Sequence, residues 1–60
     1  MNLSELRPGD RVEYWYTTFE DGRTVHRGTV IVVYEGVVGV REDGRDDFDL
    51  VPLLEVIRTI

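Results

Sequence analysis

The chain has 60 residues, one histidine, no cysteine and a formal net charge of −5. That length holds one domain, 1–60, and the missing cysteines exclude disulfide staples and Cys-based zinc sites. The acidic balance disfavours generic nucleic-acid binding, which relies on basic residues to neutralise phosphates.

A domain this small buries only about 60% of the surface of its unfolded chain, so its stability must come from a compact apolar core, helped by self-association. No apolar run approaches the roughly 18 residues of a membrane helix. The start carries an acid at Glu5 and no apolar leader core. These features predict a soluble, cytoplasmic protein with no membrane contact. All seven basic residues are Arg, with no Lys. This bias suggests a GC-rich coding sequence of bacterial or phage origin.

Residues 1–8 read as a lead-in. Ser4 is placed to cap a single helical turn, with an extended segment as the alternative, and Leu3 and Leu6 are placed to cover one end of the fold. Pro8-Gly9-Asp10 turns the chain into a first strand, Arg11 to Phe19, rich in β-formers. Alternation puts Val12, Tyr14, Tyr16 and Thr18 on one face and Glu13, Trp15, Thr17 and Phe19 on the other. Val12 nominates its own face as core. Asp21-Gly22 predicts a two-residue type I′ hairpin turn. Thr24 starts the return strand, and Gly28 marks a bulge or a close backbone approach. Thr29 to Tyr34 reads as a central strand with both faces partly covered.

Glu35-Gly36 turns the chain into a third strand, Val37 to Arg41, bent or weakened at Gly39. Asp43-Gly44 leads to a fourth, Asp47 to Val51. Pro52 should end its pairing, with Pro52-Leu53-Leu54 forming a 3₁₀ turn. Glu55 to Ile60 completes the set, with Leu54 and Val56 facing inward. The prediction is all-β: a single five-stranded SH3-like small barrel with a 3₁₀ turn before the last strand.

The string Gly9-Asp10-x-Val12, Asp21-Gly22, Gly28-Thr29-Val30, Val38-x-Val40-Arg41-Glu42-Asp43-Gly44 and Asp49-Leu50-Val51-Pro52 resembles the Tudor-like branch of the SH3-like barrels, over about residues 9–57. Such proteins hold methylated Lys or Arg in an aromatic cage by cation–π attraction. The resemblance puts Phe19, His26, Arg41 and Phe48 at the cage positions. His26 and Arg41 depart from the aromatic pattern, and an Arg repels a cation, so the resemblance implies the fold and not the ligand.

A weaker resemblance joins Gly9-Asp10-Arg11-Val12 and Pro52-x-Leu54-Glu55 to the plasmid-borne dihydrofolate reductases, which are tetramers of small SH3-like barrels. That family's functional Lys and its Val-Gln-Ile-Tyr run are replaced here by Glu13-Tyr14-Trp15 and Phe48-Asp49-Leu50-Val51. The resemblance therefore implies fold and self-association without the activity.

The residues themselves nominate a binding surface rather than an active site. Trp15, Thr17 and Phe19 lie opposite the core face and are suited to anchor a partner, together with Ile57 from the apolar tail. The segment Glu42 to Asp49 holds five carboxylates in eight residues. Its spacing does not match a calcium loop, so it reads as a solvated hairpin loop or as an acidic patch that docks on a basic partner surface, with Asp46 and Asp47 adding electrostatic selectivity. His26 lacks a nucleophile or orienting carboxylate nearby in sequence and reads as a plain hairpin residue. The expectation is a non-catalytic, acidic accessory or regulatory protein that binds a protein partner or itself, with no cofactor and no metal. A nucleic-acid-binding barrel is the first rival, and a continuous face of Arg11, Arg27 and Arg41 would favour it. An oligomeric ligand binder or enzyme of the reductase type is the second.

Overall fold

The computed structural model describes residues 5–60. The expectations for Leu3 and Ser4 lie outside them. The chain forms one antiparallel sheet of β1 (Arg11–Thr18), β2 (Gly22–Tyr34), β3 (Val37–Glu42), β4 (Asp49–Pro52) and β5 (Val56–Thr59). A 3₁₀ turn, Leu53–Glu55, precedes the last strand, and the order across the sheet is β4-β3-β2-β1-β5. The all-β prediction and the 3₁₀ turn are both met, and β2 is the central strand. Among the described residues, no helix is long and apolar enough to cross a membrane.

The period-2 pattern of β1 decides which face is core. Val12 and Tyr14 are buried and Tyr16 packs against them, joined by Leu6, Val30, Val38, Val40, Val51 and Val56. β-Branched valines suit this role, since their stiff side chains pack well on a pleated surface. Gly28 sits between Val12 of β1 and Glu42 of β3. A Cβ there would lie 2.5 Å from the Arg41 carbonyl oxygen and 2.8 Å from Val40 Cγ1. The close approach expected at Gly28 is therefore present, while the bulge falls elsewhere.

Two bulges interrupt the ladders. Val30 pairs with Val40 and Val32 with Gly39, which leaves Ile31 as an extra residue on β2. Glu13 pairs with Arg58 and Tyr14 with Val56, which leaves Ile57 as an extra residue on β5. An extra residue has no cross-strand partner and leaves the alternation. Both isoleucines are accordingly exposed.

Several boundaries differ from the sequence expectation. The Asp21-Gly22 turn is not a two-residue type I′ turn. Thr18 pairs with Gly22 around a three-residue loop, Phe19 to Asp21. Within this turn only Gly22 has positive φ, at 70°. A type I′ turn would need Asp21 there as well, whereas a three-residue loop closed by a left-handed Gly does not. The Thr18 hydroxyl oxygen accepts the Asp21 N–H at 3.1 Å and fastens the loop.

β4 starts at Asp49 rather than Asp47 and keeps Pro52 paired with Val37. A proline is tolerated there because β4 is an edge strand. The 3₁₀ turn starts at Leu53 rather than Pro52. Leu54 does not face inward; it is almost fully exposed, and Leu53 packs on the core in its place. Within the central run, Val30 is buried and Val32 half-buried while Ile31, Val33 and Tyr34 are exposed, so the cover is partial, as expected.

Candidate functional site

The β1–β2 hairpin outgrows the rest of the sheet. β5 pairs with β1 no further than Tyr14, and β3 pairs with β2 no further than Gly28. Residues 15–18 and 22–27 thus form a two-stranded arm, and the molecule measures 32 × 22 × 20 Å. The arm has an inner face, continuous with the core, and an outer face.

On the inner face the aliphatic core gives way to rings. Tyr14 stacks on His26 at 5.8 Å, and Tyr16 meets His26 edge-on at 5.8 Å and Tyr14 edge-on at 6.3 Å. His26 Nδ1 lies 2.5 Å from Glu42 Oε2, and its Nε2 lies 2.7 Å from Thr24 Oγ1. A carboxylate only accepts, so Nδ1 carries the proton, and in the neutral ring Nε2 accepts from the Thr24 hydroxyl. Burial, with Glu42 nearby, pushes the Tyr14 hydroxyl up to about 12. Burial also raises Tyr16, helped by its hydrogen bond to Asp49. Arg45 grips Asp47 through two hydrogen bonds of 3.0 and 2.8 Å and stands 3.9 Å from both Glu42 and Asp49. His26 is therefore not the plain hairpin residue expected. It is half-buried, bonded at both nitrogens, and joins the arm to the β3–β4 loop.

The outer face carries charge and exposed apolar side chains. Glu13 accepts from Arg27 at 3.0 Å and Arg58 at 2.8 Å. Its side chain is 8% exposed, against 64% and 66% for the two arginines. The Arg58 hydrogen bond, then that of Arg27, holds its carboxyl below the ordinary carboxylate range. Arg23 lies 4.3 Å over the Trp15 ring and donates to Glu55 at 2.8 Å. Arg11 donates to Asp43 and to Thr29, which stands between Arg11 and Arg41 across the sheet. Phe19 is fully exposed at the tip of the arm, and Val25, opposite Trp15, is exposed beside it.

The nominated residues fall on three elements, β1 with its tip, the β3–β4 loop and β5. Trp15 and Thr17 share the outer face, Phe19 crowns the tip and Ile57 stands at the β5 bulge. Asp46 and Asp47 are exposed in the β3–β4 loop, where Asp47 acts on Tyr16 of the inner face. The positions implied by the Tudor-like resemblance do not converge. Phe19 is at the tip and His26 on the inner face. Phe48 packs toward Gly39, where a Cβ would meet its ring at 3.1 Å. The rings that do meet are Tyr14, Tyr16 and His26. Among the described residues, no group of three His, Asp or Glu side chains is arranged to hold a metal ion. No family model, no curated protein and no solved structure matches the chain.

Proposed function

We propose that this chain is a non-catalytic protein-binding module: a small acidic accessory or regulatory protein, of bacterial or phage origin, acting in the cytoplasm. The projecting arm carries this reading. It ends in the fully exposed Phe19 and presents Val25 beside the Arg23–Trp15 stack. Aromatic and Arg side chains are favoured anchors at interfaces. The strand order β4-β3-β2-β1-β5, with a 3₁₀ turn before β5, supports the finer reading of an SH3-like barrel of the Tudor-like branch. The partner is another protein or a second copy of this chain.

The test replaces Phe19 with a photo-crosslinking residue in cells that make the protein. A discrete protein adduct, lost when Val25→Ser and Trp15→Ala are added, supports the module. Light scattering across a concentration range separates a second copy from a foreign partner. Absence of any adduct, with a monomer at all concentrations, sinks the reading.

One observation favours nucleic acid as a second reading. Arg11, Arg23, Arg27, Arg41 and Arg58 all lie on the outer face, where Glu13, Asp43 and Glu55 oppose them. Binding of a single-stranded oligonucleotide that weakens steeply with salt would support it.

A further inference from the structure

The free strand edges of the sheet differ in length and in cover. β4 is four residues long and contains Pro52, and β5 is four residues long. The free edge of β1 beyond Tyr14 faces the 3₁₀ turn, whose Glu55 holds Arg23. The edge of β2 before Gly28 has no such cover. The direction of its backbone groups follows from the hydrogen bonds on either side. Val30 exchanges bonds of 2.8 and 2.7 Å with Asp10 and Gly9, so even-numbered residues of β2 before the bulge face β1. Odd-numbered ones face away, as the Arg27 carbonyl does when it accepts the Asp43 N–H at 3.1 Å. The N–H and C=O groups of Arg23 and Val25 therefore point outward, past the end of β3. Such a row is a template for an added strand.

The charges beside this edge select its occupant. On the outer side, Arg23 and Arg27 already have Glu55 and Glu13. On the inner side, Glu42, Asp47 and Asp49 share Arg45, Asp46 is exposed in the same loop, and Glu42 is fixed directly on β2 through His26. The excess is negative. A second copy is a poor occupant. Antiparallel self-pairing centred on Val25 sets Arg23 of one copy opposite Arg27 of the other, and like charges directly opposite repel. Each copy also carries −5.

We infer that the β2 edge at Arg23–Val25 takes an extended segment of another protein as an added antiparallel strand, with basic side chains at alternate positions turned toward Glu42 and the β3–β4 loop. This rests on the protein-binding reading and names its partner's chemistry.

The probe is the blocked peptide acetyl-Arg-Val-Arg-Val-Arg-Val-amide, with a Glu-for-Arg version as control, read by amide exchange and by titration. At saturation the Arg23 and Val25 amides should exchange at least about tenfold more slowly, while those of Thr24 and His26 hold their rates. Binding should weaken with salt. Val25→Pro removes an outward N–H and no ladder bond, so it should keep the fold and weaken binding about tenfold or more. Asp46→Asn with Asp47→Asn leaves the edge intact and should weaken binding about threefold. The inference falls if the acidic peptide binds equally well, or if folded Val25→Pro binds as wild type does. It also falls if the two amides gain protection with protein concentration alone, which would seat a second copy there. Phe19 adducts that persist after such a result leave the module reading standing; their absence removes both.

Discussion

The body of the sheet and its projecting arm are built from the same two strands and held by different forces. In the body, Val12 of β1 and Val30 of β2 bury against Val38, Val40, Val51 and Val56. Burial of apolar area supplies the stability there. In the arm, the same inner face carries Tyr16, Thr24 and His26, tied through Glu42 and Asp49 to a charged loop. The body can tolerate little change in volume. The arm depends on hydrogen bonds and ring contacts, and this leaves apolar side chains exposed on its outer face. A chain too short to build two cores has extended one core into a polar network.

Gly28→Ala, at the junction, tests the comparison most severely. The new Cβ meets the backbone oxygen of Arg41, which no rotamer change can relieve. The expected loss is about 3 kcal/mol by urea unfolding, the upper end of overpacking costs. In the body, Val40→Ala should cost about 2 kcal/mol through lost burial and a residual cavity. In the arm, His26→Ala should cost about 1 kcal/mol, the scale of an aromatic contact. It should also increase exchange of the arm amides while those of the body hold. If His26→Ala costs as much as Val40→Ala, arm and body are one cooperative core and the distinction fails.

Acid sharpens the comparison on the outer face. Glu13 sits below its ordinary 4.5, held first by Arg58 and then by Arg27. The unfolded chain therefore binds more protons than the folded one at low pH. Stability from this site is full above about 4.5 and is lost as pH falls through the depressed folded value. Asp43 and Asp47 act in the same sense through Arg11 and Arg45. Thermal midpoints measured down the acid range should fall, and Glu13→Gln should flatten part of that fall. Phe19→Ser should matter least to stability, within about 0.5 kcal/mol, because the side chain touches little. A larger loss would mean that the tip is packed and not free.

The strands, the core face of β1 and the place of the 3₁₀ turn were legible because period-2 patterning and proline carry local signals. The inner ring cluster was not, and one turn explains why. A two-residue turn at Asp21-Gly22 would set His26 opposite Thr17 on the outer face. The three-residue loop sets it opposite Tyr14. An odd change of register exchanges the two faces of a strand. The signal that could have found it was Thr18, whose hydroxyl fastens the longer loop. The exposure of Leu54 was hidden for a similar reason. Alternation was carried through a segment that is a 3₁₀ turn, where neighbouring residues no longer alternate. Ile57, nominated as an anchor, is exposed as the extra residue of the β5 bulge.

The β2 bulge bears on how this chain can change length. Val30 and Val32 flank Ile31, yet their partners Val40 and Gly39 are adjacent in β3. Removing Ile31 would close the ladder with every other cross-strand partner retained, and with Val30 still inside and Val32 still outside. What would go is local twist and one exposed isoleucine. Removing a neighbour such as Thr29 would instead slip one side of the strand and turn buried valines to solvent. Within the longest strand, position 31 is therefore a place where a codon can be lost without rewriting the pairing around it, an indel site in the middle of a sheet rather than in a loop.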